Sequence, residues 1–228
     1  APTDNDRIIE NEWKTAQFDR TMTRSYQTDV RMDEHAHSVQ IHTTLSLSAC
    51  YIQRILNMQA VFTVFADGAV DLSLAVTRGP IFPMLPRFGI RLFLPKELNQ
   101  VDYFGIGPFE SYIDKRRAGY HGCFSSDIRA MHEDYLRPQE NGSHYHCAYV
   151  KVGELKAEGT KPLSFNASYY TAQELTEKMH NYELEKSGHV IWHLDYGMSG
   201  VGSNSCGPEL LKQYRLNEEK MHWELVIG

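Results

Sequence analysis

The chain has 228 residues, 42% of them hydrophobic and 23% charged, an ordinary globular composition with enough material to bury one sizeable core. Its net charge of −6 argues against a nucleic-acid partner, which calls for clustered Lys and Arg, and suits a neutral ligand. No run approaches the roughly 18 apolar residues of a membrane span, so no membrane partner is expected.

Residues 1 to 20 hold no clear period; Asp4-Asn5-Asp6 is a turn signal, and Trp13 and Phe18 are packing anchors in a polar stretch. From Ser38 onward Val39, Ile41, Thr43, Leu45 and Leu47 fall on one face, the period of two that marks a half-buried strand. Ala60 to Phe65 and Val70 to Val76 follow, separated by Asp67-Gly68, a hairpin signal. Pro80, Pro83 and Pro86 lead into an alternating run from Phe88 to Leu94. Gly105, Gly107 and Pro108 break the chain again, and between Arg116 and Tyr135 the periodicity fades into a long irregular connection. Pro138 to Gly142 reads as a turn, with strands over Tyr145 to Val152 and Leu163 to Tyr169. Thr171-Ala-Gln-Glu174 has the form of a capping box, opening one short helix with Leu175, Met179 and Tyr182 on one apolar face. Strands over Val190 to Leu194 and Trp223 to Ile227 close the series. The pattern predicts an all-β fold, a large antiparallel β-sandwich with one short helix, as a single domain over residues 1–228 without repeat or linker.

Between the last two strands lies Asp195 to Pro208, rich in Gly and Ser with Asn204 and Cys206 near its tip. Such a loop joins strands at a surface, and its many backbone donors and small side chains also suit a polyhydroxylated ligand. The four cysteines, Cys50, Cys123, Cys147 and Cys206, are widely spaced, form no Cys-x-x-Cys pair and read as free thiols in a domain this large. The chain opens at Ala1 with neither Met nor signal peptide, as a fragment of something longer would.

The loop resembles the C-terminal domain of large, multi-domain bacterial β-galactosidases of glycoside hydrolase family 2. Further stretches match that domain in the same order: Ala1-Pro-Thr-Asp-Asn-Asp, Leu85-Pro-Arg-Phe-Gly, Tyr103-Phe-Gly-Ile-Gly-Pro-Phe-Glu-Ser-Tyr-Ile-Asp, Pro138-Gln-Glu-Asn-Gly, Phe165-Asn-Ala-Ser-Tyr-Tyr and His180-Asn-Tyr-Glu-Leu. The resemblance implies a many-stranded sandwich akin to galactose mutarotase whose first strands precede Ala1. It implies a cytoplasmic enzyme, a periplasmic one not being excluded, that hydrolyses terminal β-D-galactosides with retention. In that mechanism one glutamate of a separate catalytic barrel attacks the anomeric carbon and another protonates the departing oxygen. This chain contains neither, so it would hold no catalytic residue and be inactive alone. Its partners would be the β-galactoside, the remaining domains of the same enzyme and further copies of that enzyme in a homo-oligomer. No cofactor is implied on this domain, and magnesium and sodium ions have room on the rest of the enzyme. The tip of the Gly/Ser loop would line the acceptor side of the active site through Ser203, Asn204, Ser205 and Cys206, with Asn5 opening a second bordering loop. Where some members carry a Trp as a sugar platform, this chain has Cys206.

The residues leave other chemistries open. Glycoside hydrolysis uses two carboxyl groups, and Glu110 with Asp114 or Glu133 with Asp134 are the tempting local pairs. His35 with His37, and His144 with His146 beside Cys147, could each grip one ion if i and i+2 share a strand face. A nucleophilic Cys206 has no histidine beside it in sequence. Gly105-Ile-Gly-Pro lacks the third glycine of a dinucleotide fingerprint and fits a corner between strands. A free-standing carbohydrate-binding module, which needs an exposed aromatic platform, and a mutarotase-like epimerase, which needs a converging His and Glu, remain the alternatives to a galactosidase domain.

Overall fold

The structure, a computed structural model, describes residues 1–203 and 207–228. Its strands are β1 (Met22–Asp33), β2 (Ser38–Ser48), β3 (Leu56–Phe65), β4 (Val70–Arg78), β5 (Arg87–Pro95), β6 (Gln100–Gly107), β7 (Tyr120–Asp127), β8 (Ser143–Val152), β9 (Leu155–Ser168), β10 (His189–Met198) and β11 (Lys220–Ile227). Two short helices accompany them, α1 (Ile9–Thr15) and α2 (Ala172–Glu177). The strand pairings are antiparallel and the class is the expected one, an open β-sandwich fold with no closed barrel among the described residues. The chain divides into two compact units. One takes Ala1–Glu10, Leu85–Lys156 and Pro162–Leu216; the other takes Asn11–Met84, Ala157–Lys161 and Asn217–Gly228.

In the second unit the strands run in the order β1-β2-β3-β4-β11, with the Ala157–Lys161 stretch of β9 beside β11. Asp67-Gly68 makes the predicted hairpin between β3 and β4: Phe65 N–H donates to Ala69 O at 2.9 Å, and Gly68 takes φ +94°. The registers bring the alternating apolar residues of every strand onto one face, from Val30 and Met32 through Ile41, Phe62 and Leu72 to Leu225. The opposite face carries Gln40, Gln59, Ser73 and Glu224. Burial along the apolar face is graded. Leu74 and Trp223 are buried, whereas Met32 is 77% and Val30 63% exposed. At β1 a bulge isolates Tyr26, whose ring lies between Arg24 and Arg54 and whose hydroxyl pairs with Ser46 Oγ.

In the first unit β10 pairs with β5 on one side and with Ser164–Ser168 of β9 on the other, while β6 lies between β7 and β8. Trp192, Ile191, Leu194, Phe165 and Tyr103 are fully buried and form the core. Gly105 is needed for close approach inside β6: a side chain there would meet Cys147 Sγ and Cα. Gly107 likewise makes room for Tyr103 and Phe124, so this glycine pair serves packing within a strand, and the corner comes after it.

Several segments differ from expectation, beginning with β6, which forms where Gly105, Gly107 and Pro108 read as a break. β1 escapes the sequence pattern because all twelve of its residues are exposed and only Val30 and Met32, at one end, alternate. β7 replaces part of the irregular connection; as an outer strand paired with β6 alone among the described strands, it carries a weak, mixed burial pattern. α1 arises in a stretch without apolar period, since none of its residues is buried. α2 is capped as predicted, Glu174 N–H donating to Thr171 Oγ1 at 3.1 Å, but it ends at Glu177. Of its expected apolar face only Leu175 is buried; Met179 and Tyr182 lie beyond the helix and are exposed.

Candidate functional site

The first unit holds all the stretches that carry the family resemblance, though they are far apart in sequence. Arg87 of β5 donates through Nε and Nη2 to the two carboxylate oxygens of Asp195 on β10, at 3.1 and 2.6 Å. Its Nη1 lies 3.5 Å from Glu140 Oε1 in the Pro138 to Gly142 turn. Burial works against the Arg87 charge, yet Asp195 and then Glu140 hold the guanidinium above its usual pKa. Glu140 is itself buried and faces that guanidinium. The same turn is tied to residues near Ala1, where Asp4 N–H donates to Gln139 Oε1 at 3.0 Å, and to β9, where Asn166 Nδ2 donates to Asn141 O at 2.6 Å.

The segment around Glu110 is a second junction. Glu110 accepts from Gly142 N–H at 2.7 Å and from the Tyr135 hydroxyl at 2.6 Å, and is bridged by Lys115. Ser111 Oγ donates to Ile106 O and accepts from Tyr145 N–H. Tyr112 is buried with a hydroxyl that meets no partner among the described residues, and burial with Glu140 and Glu110 nearby raises its pKa well above the ordinary phenol value. Neither carboxylate of the tempting pair is idle: Glu110 binds the turn, and Asp114 binds the Gly/Ser loop. Asp134 accepts from Asn181 Nδ2, again a structural tie.

That loop is anchored at successive residues. Ser199 N–H donates to Pro86 O, while its Oγ donates to Leu85 O and accepts from Leu216 N–H. Gly200 N–H donates to Tyr214 O. Val201 and Gly202 N–H donate to the two oxygens of Asp114 at 3.0 and 2.8 Å. Asn5 Nδ2 donates to Val201 O at 2.7 Å. Of the expected site residues, Asn5 therefore meets the base of the loop, and Ser203 follows that base, half-buried. Asn204, Ser205 and Cys206 lie outside the described residues. Sequence reading missed Asp114 as a partner of this loop, since nothing local links residues 87 apart.

The histidine pairs are not chelates of the expected kind. His35 and His37 lie in the turn between β1 and β2 instead of along a strand, with His37 at φ +47°. His144 is buried, stacked on Phe165 and edge-on to Tyr103, and burial lowers its pKa despite carbonyl partners at Gly142 and Pro108. His146 takes φ +59°, which breaks the two-residue repeat and leaves it exposed against His121. Among the described residues no three His, Cys, Asp or Glu side chains are grouped to hold a metal ion. Cys50, Cys123 and Cys147 are free thiols, and burial raises the Cys147 pKa far above the thiol range. No helix among the described residues is long and apolar enough to cross a membrane.

Comparison with known proteins agrees with the motifs. The family model described as the β-galactosidase small chain matches residues 1–227. A β-galactosidase of Actinobacillus pleuropneumoniae is 42% identical over 229 residues, covering 100% of this chain and 23% of the relative. One from Staphylococcus xylosus is 34% identical over 231 residues with the same coverage. One from Vibrio vulnificus (strain CMCP6) is 31% identical over 196 residues, covering 83% of this chain and 18% of the relative. The chain spans about a quarter of the length of the first two relatives and less of the third. With motifs, fold class and a family match along nearly its whole length in agreement, the chain belongs to the β-galactosidase small-chain family.

Proposed function

We propose that this chain forms the acceptor-side wall of the active site of a β-galactosidase whose catalytic carboxylates reside on other domains of the enzyme. The observation that carries the reading is the bond from Asn5 to Val201: it joins the two segments that border the site in the resembled enzymes, 196 residues apart, at one place. The substrate would be a terminal β-D-galactoside. Its leaving group would lie against the loop tip, Ser203 to Cys206, with Asn5 behind it. Glu110, Asp114 and Asp134 are engaged in holding turns and loops together, which supports leaving the chemistry to groups outside this chain. The chain alone is accordingly expected not to cleave a chromogenic β-galactoside.

The graded apolar face of the second unit supports a packing role as well. A sheet face that is apolar from Leu225 to Met32 but bare at the β1 end is built to be covered, and the rest of the enzyme is the proposed cover. The test of the site is Cys206→Trp in the intact enzyme, assayed with two leaving groups. A restored stacking platform is worth on the order of 1 kcal/mol, several-fold in binding. The gain should appear with glucose or aromatic leaving groups, while the inhibition constant of free galactose stays put. Unchanged leaving-group preference together with a lowered melting temperature would overturn the reading, because it would mean that Trp merely overfills a structural turn.

A further inference from the structure

We infer that Asp114 is the positioning residue for the acceptor side of the site, fixing the base of the Gly/Ser loop at Val201 and Gly202. The inference rests on the reading above, that this loop borders the acceptor. Asp114 itself is not required to touch substrate. Its two carboxylate oxygens accept from two successive main-chain N–H groups, Val201 and Gly202, at 3.0 and 2.8 Å. A carboxylate held by two adjacent amides fixes the peptide plane between them as well as its distance, because charge-assisted bonds are short and directional. The loop sequence is adapted to that grip. At Gly200 any Cβ would collide with the Asp114 carboxylate group, and at Gly202 it would come within 3.2 Å of Oδ2, so the two glycines open the space the carboxylate fills.

The opposite side of the same peptide is held too, since Val201 O accepts from Asn5 Nδ2 at 2.7 Å. Immediately before it, Ser199 and Gly200 are bonded to Pro86, Leu85, Leu216 and Tyr214. Main-chain placement is therefore settled through Gly202, and Ser203 starts directly from it. Asp114 lies at the end of the Tyr103 to Asp114 stretch, whose own position is set by Ser111 on Ile106 and Tyr145 and by Glu110 on Gly142. The clamp thus hangs from a segment that is itself tied at Glu110 and Ser111.

Asp114→Asn keeps the shape but leaves one N–H facing an amide –NH2. In the intact enzyme, amide hydrogen exchange at Val201 and Gly202 should speed up on the order of tenfold or more, as expected for a lost charge-assisted bond. Partitioning of the galactosyl group between added glucose and water should shift on the order of several-fold, since misplacing a binding group acts on the partner it holds. Inhibition by free galactose should not change. A purely structural role would lower the melting temperature and active fraction while leaving that partition ratio where it was. Asn5→Ala, which frees the other side of the same peptide, should move both readouts in the same direction if Asp114→Asn proves too unstable to purify. Unchanged exchange at Val201 and Gly202 would overturn the clamp. Faster exchange with an unchanged partition ratio and unchanged leaving-group preference would leave the clamp as architecture and overturn the assignment of the loop to the acceptor side.

Discussion

Replacing Asp195 by Ala leaves the half-buried Arg87 with Glu140, 3.5 Å away, as its remaining carboxylate neighbour. Removing the buried partner strands a charge that water reaches only in part, and the expected loss is about 1–3 kcal/mol by urea unfolding. A loss below about 1 kcal/mol would mean that water reaches Arg87 freely. His144 gives the pH dependence at this scale. Burial between Phe165 and Tyr103 lowers its pKa, so the folded chain holds it neutral while the unfolded chain protonates it near the ordinary imidazole value of about 6.5. The unfolded state then binds more protons below that value, and stability falls as pH drops through it. The urea midpoint should decline from pH 7.5 to 5.5, and His144→Phe should flatten that decline; equal slopes in both proteins would exclude His144 as the source. Both ring nitrogens face carbonyl oxygens, at 3.2 and 3.4 Å, so the neutral ring can donate to one of them only.

Among the elements, legibility followed burial. β2, β3, β4, β5, β8 and β11 are legible in the sequence because apolar residues recur along a face that meets a core, and β10, buried on both faces, as a continuous apolar run. No residue of β1 or α1 is fully buried, and neither carries a one-dimensional pattern strong enough to reveal it. The helix α2 shows the limit of periodicity: Met179 and Tyr182 kept helical spacing, yet the backbone turns extended at Lys178 and takes them away. Its cap was legible since a hydroxyl and a Glu three apart form a local signal; Thr171→Ala should cost about 1 kcal/mol. The candidate site was legible only as a set of fragments. Asn5 and the loop were recognisable by composition and resemblance, but that Asp114 closes on them is a fact of tertiary structure. The bare end of β1 offers a prediction of its own. Val30→Lys should leave the stability of the chain within about 0.5 kcal/mol, as for an exposed position, while weakening assembly of the intact enzyme. Normal assembly of that variant, measured by size-exclusion chromatography, would argue against β1 as a covered surface.

The whole molecule is interleaved. Neither unit is a continuous stretch of chain, and β9 supplies Ala157–Lys161 to one and its remaining residues to the other. β4, residues 70–78, finds its second neighbour in β11, at residues 220–227. On the ribosome this sets an order of events. β4 emerges with Leu72, Leu74 and Val76 on its inner face, and must wait for residues 79–222 to be translated before Trp223 and Leu225 arrive beside it. Throughout that interval one edge of a hydrophobic strand is open, a template for pairing with another nascent chain. A chain stalled after Asn217 should therefore be cut readily by protease within residues 56–78 and be held by chaperones, and translation through β11 should bring protection abruptly. Protection already present in the stalled chain would show that β4 folds without its last neighbour. Between β4 and β11 the growing chain is thus vulnerable, and its rescue arrives only with residues 220–227.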